Sequence, residues 1–398
     1  MGLRSKLALG LLAAAASFSF SPAQAQTTAS APPHVGAAER AAIGALQSAL
    51  AARDYAGAAS TLGAAQSAAE SNDARYYVAL LQFQLARETG NAVMQAQAVE
   101  NLIALGRLPQ AQLGGLYALE GTNALSARDR ARAEASYTRA LELAPSPEIA
   151  LTLAQLKIQG RKTGDAIALI ERAIALQKAR GQAAPESWYR RVVELALSGS
   201  LAPQALIFDR DWIAAYPSPE NWRDAILIYR DTAKPDPAAA IDALRLQRLA
   251  KGLGGERDYM AAAQAFTAAG LPGEAKSVLD EGVATHMLDA HKPATRAAIL
   301  AATRAATAAR LRLARLRGTS TVAAGDQLLS FGEHAAAATA YQGALSKAGA
   351  DPNLVNTRLG IALALAGRRA EAAAAFGAVT GLRADLASLW LAWLGQHA

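Results

Sequence analysis

From Ala37 onward, apolar residues return at intervals of three and four, the spacing that lays one apolar stripe along a helix, and no stretch alternates β-branched residues as a strand would. The pattern predicts an all-α chain. Its most regular part runs from Gly325 to Val379, where one arrangement is written twice: Gly325 and Gly360, Gly332 and Gly367, Ala337 and Ala372, and Tyr341 and Phe376 are each 35 residues apart. Each copy reads as a helix, a break at glycine and a second helix, a hairpin used as a repeating unit.

The small residue of each second helix is a ruler for the rest of the chain. Ala58, Ala133, Ala166, Ala205, Ala240, Ala275, Ala337 and Ala372 mark successive copies, and the turn at Gly90-Asn91 supplies one more, giving about nine hairpins. One interval is irregular. From Ala275 to Ala337 the chain has 62 residues instead of two units of 35, so the intervening segment is no ordinary hairpin. Pro293 opens a helix there that continues unbroken to Gly318. The expected organisation is a first array over 37–282, a long connecting helix within 283–317, and a second array over 318–398 that closes on LASLWLAWLGQHA, with Trp390 and Trp393 on one face of a capping helix.

Residues 114–147 carry the most complete copy. Tyr117, Gly121, Ala133, Tyr137, Ala140 and Pro145 follow the order large, small, small, aromatic, small, proline, and in this the chain resembles the tetratricopeptide repeat family. Small residues let paired helices approach to about 8–10 Å, the aromatic fills the space before the next pair, and proline ends the second helix. The resemblance implies an α-solenoid of tetratricopeptide-like hairpins whose first helices line a concave groove for a protein or peptide. It would turn Arg190, Arg191, Glu194, Trp222, Tyr229, Arg257, Gln264 and Arg358 inward. Exposed Arg, Trp and Tyr are what binding hot spots use, although core burial is an equally ordinary reading of Trp222 and Tyr229. The Lys and Asn set with which the family clamps a terminal carboxylate is not found on these helices.

Composition narrows the class. The chain is 52% hydrophobic and only 6% aromatic, its apolar content being alanine and leucine, both strong helix formers. Cysteine is absent, which removes disulfides, thiolate nucleophiles and sulfur-ligated metals. Arg4 and Lys6, the apolar run Leu7 to Ala16 and the triplet Ala23-Gln24-Ala25 have the order of a secretory signal peptide over 1–25, cleaved after Ala25 and followed by a polar leader over 26–36. Removing that segment lowers the formal charge from +7 to +5. With no glycosylation sequon in view, the expected location is a bacterial periplasm, with no transmembrane segment after cleavage.

Charge then singles out the connecting helix. Lys292, Arg296, Arg304, Arg310, Arg312, Arg315 and Arg317 lie in a window without an acidic residue from Asp289 to Asp326. Such a helix docks an acidic partner, an anionic polysaccharide or lipid headgroups, or else it is a solvated face with arginine stems lying over alanines. Nucleic acid fits poorly, because no aromatic residue lies between Phe266 and Phe331 to stack a base. His286 and His291 are five apart, which does not place both on one helical face for a metal, and Gly252 to Gly255 lacks the lysine of a phosphate loop. The expectation is a scaffold or adaptor for protein partners, not an enzyme, with no metal or cofactor. Polysaccharide export or modification is the alternative, and an enzyme with a site assembled from distant residues is third.

Overall fold

The computed structural model describes residues 35–397, so the signal peptide and nearly all of the polar leader lie outside the described residues. Among the described residues there are twenty α-helices and no strand. The chain divides into two compact units, Met1–Asn123 and Ala124–Ala398.

In the first unit, α1 (Ala37–Ala51) packs on α2 (Tyr55–Ala68) and α3 (Asn72–Thr89) on α4 (Ala92–Leu105), with α5 (Gln110–Ser126) crossing the division. The helices start where a side chain can take up a free backbone N–H: the Asp54 carboxylate accepts from Gly57 at 2.8 Å, Ser71 from Ala74 at 3.1 Å and Asn91 from Met94 at 3.0 Å. Glu39, buried in α1, accepts from the backbone N–H of Ser71 at 2.7 Å and of Glu70 at 2.9 Å. These bonds, that from Ser71 first, hold its carboxyl below the usual range and tie the start of α1 to the start of α3. Leu46, Leu50, Ala58, Leu62, Val78 and Leu85 fill the core between these helices.

The second unit continues the pairing with α6 (Arg130–Leu143), α7 (Pro147–Gln159) and α8 (Thr163–Ala179), then α9 (Glu186–Ser198) with α10 (Ala202–Ala215). Next come α11 (Pro219–Ala233) with α12 (Pro237–Leu249) and α13 (Glu256–Ala268) with α14 (Pro272–Ala284). The single long helix α15 (Pro293–Leu316) begins at the expected proline. After it come α16 (Val322–Ser330) with α17 (His334–Leu345), α18 (Pro352–Leu365) with α19 (Arg369–Gly377), and α20 (Ala384–Gln396). Proline stands in the first turn of α7, α10, α11, α12, α14, α15 and α18, where its missing N–H is not needed.

The alanine ruler holds at seven of its eight marks. Ala58, Ala133, Ala166, Ala205, Ala275, Ala337 and Ala372 are each the fourth residue of a second helix and fully buried. The exception is α12, where Ala240 is half-buried and the inward alanines are Ala239 and Ala243. Here the helix packs on α18 and α20 as well as on its own neighbours, and its inward face is turned accordingly. In the C-terminal pair the repeated small residues receive the repeated rings: a Cβ on Gly325 would lie 2.5 Å from the Tyr341 ring, and one on Gly360 would lie 2.6 Å from Phe376. Gly332 and Gly367 make the tight turns at φ 76° and 78°, a left-handed conformation that glycine adopts without strain.

The C-terminal helices do not continue the stack as a free end. Leu328, Tyr341, Leu359, Phe376, Leu386 and Trp390 share one core with Leu206, Ile213, Trp222, Ile226 and Tyr229. The segment expected to form a separate second array therefore packs on α10, α11 and α12, and Phe376 stacks on Trp390 with centroids 5.8 Å apart.

Candidate functional site

The return of the C-terminal helices changes what three of the expected groove residues do. Trp222 and Tyr229 sit on the first helix α11, yet they are buried, because α20 lies on the face that was expected to be open. The Trp222 indole donates to the Gln396 side-chain oxygen at 3.0 Å, and the Gln396 amide donates to the Ile213 carbonyl at 2.8 Å. Burial pushes the Tyr229 hydroxyl up to about 12. Arg358 on α18 is also buried. These three correct the expectation of an open groove: a residue's place on a first helix sets the face of that helix, while the distant segment that covers it sets its exposure.

Arg358 belongs instead to a buried cluster of charges. Asp242 of α12, with no exposed surface, accepts from Arg245 at 2.7 Å, Arg383 at 3.1 Å and Arg358 at 3.4 Å. Arg245 grips Glu274 of α14 with two bonds at 2.7 and 2.8 Å. Arg358 donates to Asp326 at 2.6 Å, and the Tyr341 hydroxyl donates to the other Asp326 oxygen at 2.7 Å. Arg383, just before α20, reaches Asp236 at 3.0 and 3.1 Å.

The protonation states follow from this packing. Burial raises the Asp326 carboxyl and Arg358 opposes the rise; burial, and then Asp326, raises the Tyr341 hydroxyl well above its usual range. For Arg245 burial acts to lower the value, but Glu274 and Asp242 outweigh it and the guanidinium stays charged. Each charge is turned onto an opposite charge within the cluster, so the arrangement is a clasp between α12, α14, α16 and α18. Beside it, the backbone N–H of Glu274 donates to the Ser330 hydroxyl at 3.0 Å, and the Gln327 amide to the Gly270 carbonyl at 2.7 Å.

A second buried acid stands alone. Asp209 lies on α10 between the core residues Leu206 and Ile213, with no exposed surface and no hydrogen-bond partner for either oxygen. Burial first, and the nearby Asp224 charge second, push its carboxyl up to about 7.

The remaining expected residues are on the surface but do not converge. Arg190 is exposed on α9, 3.6 Å from Glu186 with its guanidinium 5.5 Å from the centre of the Trp212 ring, and Arg191 pairs with Glu194 at 3.3 Å. Arg257 is exposed at the start of α13. Arg310, Arg312 and Arg315 are exposed on α15, where they join Arg296 and Arg304. At the two ends of that helix the cations are paired, Lys292 with Glu256 at 2.5 Å and Arg317 with Glu333 at 2.6 Å. Among the described residues the five arginines between them have no ion-pair partner. Leu300, half exposed, and Leu311, 81% exposed, are eleven residues apart and so lie on one outward face, opposite the buried Thr295, Ala302, Ala306 and Leu313. Among the described residues no group of His, Asp or Glu is placed to hold a metal ion, and no helix is long and apolar enough to cross a membrane.

Sequence reasoning did not find Asp209, Asp236, Asp242, Arg245, Glu274, Asp326 or Arg383. The available signal was the break each of the buried ones makes in an apolar stripe, as where Asp242 falls between Ala239 and Leu246.

No family model and no curated protein sequence matches the chain. Among solved structures, it is similar to the crystal structure of MamA protein at 11% identity, over 46% of this chain and 93% of that one, with a TM-score of 0.31. It is also similar to the TPR2AB domain of yeast Sti1 in complex with pHSP90, at 14% identity over 67% and 98% of the two chains and a TM-score of 0.29. For the P58(IPK) TPR domain the values are 14%, 90% and 89%, and 0.23. Likenesses at these scores carry no argument about function. The fold stands on the chain's own elements: paired helices, an alanine at the fourth position of the second helix and aromatic rings seated on glycines make it an all-α solenoid of tetratricopeptide-like hairpins.

Proposed function

We propose that this protein is an exported, periplasmic scaffold or adaptor that docks an acidic, partly apolar polypeptide on the outward face of α15. The observation that carries the reading is the set of five exposed arginines without ion-pair partners along α15, flanking Leu300 and Leu311 on its solvent side. A partner carboxylate has five cations to meet, and the leucines give it apolar area to cover. Such a surface sets orientation and on-rate through its charge more than it sets affinity. Arg190 and Arg191, set against Glu186 and Glu194, and Arg257 at the start of α13 are exposed but do not converge on this face and are not counted in it.

The test is charge reversal of Arg310, Arg312 and Arg315 to Glu in the full chain. Capture from an envelope extract by the wild-type protein is expected to return a protein that the triple variant does not hold and that salt releases. Retention of the same protein by both sinks the reading. Retention on acidic polysaccharide, with no protein held, replaces it with glycan handling. Export is tested separately by N-terminal sequencing of the mature protein, which is expected to begin at Gln26.

A further inference from the structure

A small slot lies on the other side of α9 from its exposed arginines. Tyr189 and Val192, from the inward side of α9, form its floor, and its walls are Ile174 on α8 and Phe208 on α10. Its volume is about 170 Å³. That is below the roughly 300 Å³ at which sites for drug-sized molecules begin, so the slot suits one long side chain instead of a cofactor. At its rim stand Glu171 of α8 and Asp211 of α10, both exposed as residues and neither in an ion pair among the described residues. The carboxyl end of Glu171 is nevertheless held above the usual range, by desolvation first and by the Asp211 charge second. Lys178, the cation of the same rim, is drawn to the Tyr189 ring face, 5.5 Å from its centre.

We propose that this slot binds an arginine or lysine side chain of a partner polypeptide, its aliphatic stem on Ile174, Val192 and Phe208 and its charged head between Glu171 and Asp211. Charge complementarity selects the occupant. Glu171 and Asp211 outnumber Lys178 at this rim, and Lys178, held over the Tyr189 ring, forms no ion pair with either. A guanidinium or ammonium added there offsets the repulsion between the two carboxylates while its stem covers the apolar floor. An acidic or neutral side chain of the same length gains only the floor. The slot opens between the second helices α8 and α10 over the side of α9 away from Arg190 and Arg191, and none of its lining comes from α15. The inference shares with the proposed function only the premise of a polypeptide partner.

The experiment is a titration of the full chain with the blocked tripeptide acetyl-Gly-Arg-Gly-amide, followed by calorimetry and by methyl resonances of Ile174 and Val192. Its counterpart with citrulline, which keeps the shape and loses the charge, is the control ligand. The expected result is saturable binding in the roughly millimolar range with shifts of those methyls, weakened about tenfold by the citrulline peptide and by the double variant Glu171→Gln/Asp211→Asn. Both variant positions are exposed, so the fold is retained. The absence of saturation in that range, or equal affinity for the wild-type protein and the double variant, overturns the inference. The α15 triple variant should bind the tripeptide as wild type does, which separates a failure here from a failure of the α15 reading.

Discussion

Two sets of arginines in the second unit show how context divides one residue type into two roles. Arg245, Arg358 and Arg383 are buried and each meets two carboxylates, whereas Arg304, Arg310, Arg312 and Arg315 are exposed on α15 without an ion-pair partner among the described residues. Breaking a buried pair leaves a desolvated charge with nothing opposite it, while an exposed cation is solvated with or without a partner. The first set therefore belongs to stability, and the second is available for interaction. In this chain a high arginine count is not by itself a sign of a binding surface, since the charges already satisfied inside the protein must be set aside first.

The comparison breaks most sharply at Asp242. Replacing it with Ala should lower stability by about 3–5 kcal/mol, because Arg245, Arg358 and Arg383 lose their shared acceptor; denaturant unfolding that matches wild type would show that the cluster is no clasp. Asp209 comes next. Its folded value of about 7 lies above that of an unfolded aspartate, so the unfolded state releases its proton first as pH rises. Its contribution is fully present below the unfolded value and is lost as pH climbs to 7, by at most about 4 kcal/mol on the linkage relation. Asp209→Asn should flatten that fall, and an unchanged pH profile of melting would exclude Asp209 as its source.

Packing gives a smaller effect. Gly360→Ala forces a methyl group toward the Phe376 ring, 2.6 Å away, and should destabilise by about 1–3 kcal/mol, with thermal melting as the measure. The smallest effect sharpens the contrast from the other side. Charge reversal at Arg310, Arg312 and Arg315 should change stability by no more than about 0.5 kcal/mol per site, since each is exposed, and a larger loss would show that α15 is held by its arginines.

The helices, the hairpin count, the long α15 and seven of the eight ruler positions were legible in the sequence, because each depends on spacing within about 35 residues. What was not legible depends on who covers whom. Arg358 and Asp242 are 116 residues apart, Arg383 and Asp242 are 141 apart, and Trp222 and Gln396 are 174 apart. Periodicity shows which side of α11 is apolar and says nothing about the helix that will lie on it. Trp222 and Tyr229 were therefore readable as residues of an inward face, but not as residues sealed by α20. The arginines of α15 kept their expected exposure, and among the described residues none of the five between Lys292 and Arg317 is in an ion pair. The slot beside Glu171 and Asp211 escaped for a related reason: its lining comes from three helices, and none of them carries a motif alone.

The two hydrogen bonds of Gln396, one accepted from Trp222 and one donated to Ile213, also bear on how the second unit comes apart. In a simple array each repeat touches only its neighbours, so terminal repeats fray first and unfolding can proceed copy by copy. Here α20 is stitched to α10 and α11 across more than a hundred intervening residues, a closure with a large entropy of its own. Losing α20 uncovers Trp222, Tyr229 and Trp390 together, so amide protons of α11 and α20 should exchange in one cooperative step instead of a gradient from the last repeat inward.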